Sequence, residues 1–172
     1  MSNRINLSFK FFLLLILISN YSYSDSFDFN TYNNHGIIGL INTPTARFYE
    51  EGSHGITYFD GDPDQKITLS SNPYDWFEAS FFYMNIEDIT QCRSNSEGKT
   101  YCQGYKDKGF NVKIKLKDQG FFPALAFGLN DFAGTSLYSS EYLVSSYGIN
   151  NLDMHLGIGW GRLSNKDDNF KN

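Results

Sequence analysis

The sequence predicts an all-β fold, an antiparallel meander forming an outer-membrane β-barrel or an incomplete part of one. Three observations predict it. Residues 109–117, 123–129 and 152–160 alternate one large apolar side chain with one polar or very small one, and strand side chains point alternately to opposite faces. The chain is rich in aromatics, with 16 Phe, 12 Tyr and 2 Trp. The ribbons also follow what reads as an export signal. That combination places lipid, rather than a protein core, against the greasy face.

The elements follow in chain order. Residues 1–24 carry Arg4 and Lys10, the apolar run Phe11–Ile18, and small residues Ser22 and Ser24 before Asp25. This is the order of a secretory signal peptide. The apolar run falls short of the ~20 residues that span a bilayer as a helix. An uncleaved anchor is the alternative, and with no Cys near the cut a lipid-modified N-terminus is not expected. Residues 25–54 read as an irregular lead-in, with a short strand expected to end at Pro44. Residues 55–163 hold the barrel-type strands. Gly55–Asp60 and Lys66–Ser71 flank the Gly61–Asp64 turn signal. Trp76–Glu87 has the ~10-residue length that a tilted membrane strand needs. A polar loop is expected over Asp88–Lys108. Then come Gly109–Lys117, Pro123–Asp131, Ser136–Tyr147 and Leu152–Gly161, seven strands in all. Residues 164–172 form a charged tail without a period.

The period assigns faces. Val112, Ile114, Leu116, Leu125, Phe127, Leu156 and Ile158 are the candidate lipid-facing residues. Lys113, Lys115, Asp153 and His155 are the candidate lumen-facing ones. Lysines repeated along one strand would be costly in a dry core and comfortable in a watery lumen. Small residues opposite the apolar ones leave room inside or admit another backbone. A soluble sandwich with one wet face satisfies the same periodicity. Cys92 and Cys102 are the chain's two cysteines. An exported chain meets oxidising conditions, so a disulfide clip between them is expected.

Composition narrows the function classes. Without residues 1–24 the chain has 12 basic and 19 acidic residues, a net charge of −7. That argues against nucleic-acid binding, which needs a basic face. Catalysis finds little support. Gly134–Tyr138 lacks the closing Gly of a nucleophile elbow. Gly157–Gly161 ends a strand with no helix to follow, unlike a dinucleotide turn. Asp60, Asp62 and Asp64 read as a solvated turn, since the later Glu of a calcium loop is missing. His35, His54 and His155 have no metal spacing. No enzyme activity and no cofactor are expected. The aromatics could form interfacial girdles, stack on sugars or fill a core.

Three blocks carry a family resemblance. They are Gly39–Arg47; Tyr105–Leu116 with Pro123–Thr135; and Leu137–Ser146 with Leu156–Leu163. With them the chain resembles the N-terminal part of the YjbH family of outer-membrane proteins linked to exopolysaccharide and capsule production. The resemblance implies an outer-membrane barrel, with the periplasm as the alternative location, and a role in polysaccharide biosynthesis or export. Its implied partners are outer-membrane lipid, exopolysaccharide and other export components. Family members are several times longer. Seven strands fall short of the eight at which single-chain barrels begin, so a second chain or a C-terminal remainder is expected to close the sheet. The alternative function is a soluble exported β-sandwich that binds a glycan or partner protein.

Overall fold

A computed structural model describes residues 30–62 and 64–164. The expected signal peptide and the tail beyond Ser164 lie outside the described residues. The lead-in carries a small hairpin, β1 (Gly39–Leu40) with β2 (Thr43–Pro44). Seven longer strands follow: β3 (Ser53–Asp60), β4 (Asp64–Tyr74), β5 (Phe77–Ser94), β6 (Thr100–Lys117), β7 (Ala124–Asn130), β8 (Ser140–Ile149) and β9 (Leu152–Gly161). They form one antiparallel meander in sequence order, and the sheet is not closed. β3 and β9 are its two edges.

The expected polar loop over Asp88–Lys108 needs correction. β5 and β6 run on through it as a paired ribbon, with Thr90–Ser94 opposite Thr100–Gly104 after a register shift beyond Ile86. Alternation of polarity stops at the ribbon because both of its faces are solvated, yet the backbone ladder continues. Cys92 and Cys102 sit directly opposite each other and form the expected disulfide, with Cα atoms 4.0 Å apart. A second correction shortens the predicted Ser136 strand: β8 begins at Ser140, because Asp131 and Ser136 adopt positive φ in the preceding turn.

Several strands turn large apolar side chains outward. Along β4, Lys66, Thr68, Ser70 and Asn72 are buried while Ile67 and Leu69 are exposed. Along β9, Leu156 is 79% exposed and Ile158 58%. The lead-in lies on the concave face, which mixes polar and apolar side chains, and packs over part of it. Ile37 and Ala46 of the lead-in pack with Ala124, Ala126, Tyr142 and Val144. The small residues predicted opposite the apolar ones make room for this layer. Gly128 serves the same crowding differently: an added Cβ there would collide with the Tyr142 ring. A second cluster joins Phe82, Met84, Ile86 and Tyr138 beneath the β7–β8 turn.

Candidate functional site

The concave face and the lead-in that fills it form the candidate site. Its centre is an ion pair between Lys113 Nζ on β6 and Glu78 Oε2 on β5, 2.6 Å apart, with both side chains fully buried. Each member also holds main chain of the lead-in. Glu78 Oε1 accepts from the Ile38 amide at 2.8 Å. Lys113 donates to the Ile38 and Arg47 carbonyls at 3.1 and 2.9 Å. This corrects the expectation of a watery lumen around Lys113. The charge is dehydrated and satisfied by a carboxylate and two carbonyls, the arrangement a buried charge requires.

The four predicted lumen-facing residues converge on the segment Ala46–Phe48. Asp153 accepts two hydrogen bonds from the Arg47 guanidinium, at 2.9 and 2.6 Å. His155 Nδ1 lies 2.8 Å from Ser146 Oγ, which accepts from the Ala46 amide. Lys115 pairs with Asp118 at 3.0 Å and lies over the Phe48 ring. Sequence reasoning singled out neither Glu78, Arg47 nor Ser146 for these roles. Glu78 was findable: it alternates with Phe77 and Ala79 and lies on the same side of its strand as Ser80. Arg47 and Ser146 gave no signal beyond their place in the family blocks.

Further along, the tip of the lead-in is held by Ser70 Oγ donating to the Gly36 carbonyl at 2.7 Å. Gly36 has φ 72°, and a Cβ there would strike Thr68. Asn111 donates to the His35 carbonyl at 3.4 Å. Dehydration in the concavity, with Lys66 and Arg162 adding to it, pushes His35 down to about 3, so its ring stays neutral. Several buried polar atoms remain without hydrogen-bond partners among the described residues, including both side-chain atoms of Asn72 and Oδ1 of Asn130. Among the described residues no group of His, Cys, Asp or Glu could hold a metal ion.

The predicted lipid-facing residues share the opposite, convex face. Leu116, Leu156 and Ile158 are exposed there, and Val112, Ile114, Leu125 and Phe127 are half-buried among in-sheet neighbours. Aromatics cluster towards both strand ends. Tyr74 stacks on Trp76 at the β4–β5 turn, and Phe121 meets Phe122 edge-on at the β6–β7 turn. Tyr58 and Tyr83 flank Ile67 towards the other end, on adjacent strands. No helix is long and apolar enough to cross a membrane among the described residues.

Comparison with known proteins gives two matches. The family model described as "YjbH: Exopolysaccharide biosynthesis protein YbjH" matches residues 31–172. A curated relative from Escherichia coli (strain K12), "Uncharacterized lipoprotein YjbH", is 36% identical over 138 residues, covering 80% of this chain and 19% of the relative. The chain therefore spans about a fifth of the length of the relative it matches. No solved structure matches.

Proposed function

We propose, since the chain belongs to the YjbH exopolysaccharide biosynthesis family, that it is a non-enzymatic, exported β-sheet protein of the outer membrane serving exopolysaccharide or capsule biosynthesis or export. The relative's description as a lipoprotein supports export and membrane association. One observation carries the membrane reading: the outer face of the sheet exposes large apolar side chains on several strands, among them Ile56, Tyr58, Ile67, Leu69, Leu156 and Ile158. A contiguous exposed apolar face marks a partner or a membrane. The aromatics fit it too. Trp76 at the β4–β5 turn and Tyr83 are seven residues apart, ~23 Å along a strand, or ~18 Å along the membrane normal at the ~40° tilt of barrel strands, which fits inside the ~25 Å apolar band.

Unpaired edges at β3 and β9 are costly in hydrocarbon, at several kcal/mol per unsatisfied group. The reading therefore includes a closing partner, either a second copy or further strands of a longer chain. Fractionation of the native host tests the proposal. The protein is expected in carbonate-washed outer membranes, with heat-modifiable gel mobility in detergent. Recovery as a monodisperse soluble periplasmic species overturns it and favours the glycan- or protein-binding sandwich.

A further inference from the structure

We infer that the concave face is a groove for a neutral polysaccharide strand, and that the lead-in, residues 33–48, is a displaceable plug occupying it. The inference rests on the exopolysaccharide reading above and names a site for the polymer.

The wall holds the plug largely through the plug's main chain. Glu78, Lys113, Ser146 and Ser70 reach backbone amides or carbonyls of residues 36–47. Such contacts do not read side-chain identity. They offer donors and acceptors to any extended polar polymer lying in the same place. The wall also has hydrogen-bonding capacity that the plug does not use. Asn72 is fully buried on β4 with neither side-chain atom bonded, and Asn130 has a free oxygen on β7. Buried polar groups are normally satisfied, so a hydroxyl-rich chain would match this wall better than the plug does.

Charge selects among polymers. The buried charged groups of the wall are two lysines, Lys66 and Lys113, against three acids, Glu78, Asp107 and Asp131. A polyanion would meet no excess positive charge, which favours an uncharged glycan. The Tyr142 ring, packed against Ile37 and Ala46 of the plug, supplies flat apolar surface for a sugar face. The plug itself contains little regular structure, two strands of two residues each. Its mouth is fastened by the partly exposed Arg47–Asp153 pair.

The test uses the full chain in detergent with R47A and the stronger I37S/R47A, two changes confined to the plug. Hydrogen exchange at the Ile37, Ile38 and Ala46 amides reports release, and a retained strand signal with an intact Cys92–Cys102 disulfide reports folding. The probes are a labelled neutral dextran oligomer, polygalacturonate, and a synthetic peptide of residues 33–48. Faster exchange is expected in both variants, in parallel with dextran binding at least ten-fold tighter than wild type. Unchanged exchange in both variants overturns the plug. Faster exchange without tighter dextran binding, or preferential uptake of polygalacturonate, overturns the neutral-glycan groove, while competition between the peptide and dextran supports a shared site and its absence overturns it. Outer-membrane recovery of the same variants keeps the two readings apart: it persists if the groove alone is wrong and is lost if the membrane reading is wrong.

Discussion

At the scale of single residues, Lys113 and Glu78 form the ion pair with both side chains at 0% exposure among the described residues. Each also satisfies main chain of the lead-in. Removing one member strands the other charge, so K113M is expected to destabilise by about 3–5 kcal/mol, measured by urea unfolding from detergent micelles. The double variant K113M/E78L is expected to recover part of that. The rest persists as loosened exchange at residues 37–48, whose backbone groups lose their partners. His35 gives a pH dependence. Its ring is held neutral in the folded chain at about 3, whereas an unfolded histidine takes its proton near 6.5. The unfolded state therefore binds more protons below that point, and stability falls as pH drops from about 6.5 towards 3. Urea midpoints compared at pH 7 and pH 5 should differ less in H35Q than in wild type; equal slopes would remove His35 as the cause.

At the scale of elements, the β5–β6 ribbon stands apart. Its sheet portion is anchored by Phe82, Met84 and Ile86, all buried, while residues 90–103 are exposed throughout. An isolated two-stranded hairpin is marginal in water, so the disulfide is what keeps this end paired. Loop-closure entropy assigns such a clip about 2–3 kcal/mol. In C92S/C102S, amides of residues 90–103 are expected to exchange much faster while those of Phe82–Ile86 stay protected. Equal loss in both places would mean that the ribbon and the sheet unfold as one unit. The ribbon also shows why its strands were illegible. Alternation reports burial on one face only, and here neither face is buried.

At the scale of the whole molecule, the question is what touches the convex face. Leu156 discriminates cleanly because it is 79% exposed. On a soluble protein, a surface change such as L156R stays within about ±0.5 kcal/mol. On the lipid face of a barrel, Arg near the midplane is destabilising by ~2–4 kcal/mol. The expected outcome is loss of L156R from outer-membrane fractions with accumulation of unfolded or degraded chain. A Lys113→Arg control probes the concave face, where the constraint is hydrogen bonding rather than hydrocarbon. Unchanged membrane recovery of L156R would count against lipid contact at this position.

Period, turn residues and cysteine count were enough for the seven-strand meander, the two faces of β6, β7 and β9, and the disulfide. All of these signals are local. The period also set Lys113, Lys115, Asp153 and His155 on one side. What lies over that side came from long-range packing. Glu78 is 35 positions from Lys113 and Arg47 is 106 from Asp153, and no local pattern encodes such pairings. The lead-in has no sustained period because its backbone is held by wall side chains rather than by a ladder. Its place in the concavity became visible only once the strands were assembled around it.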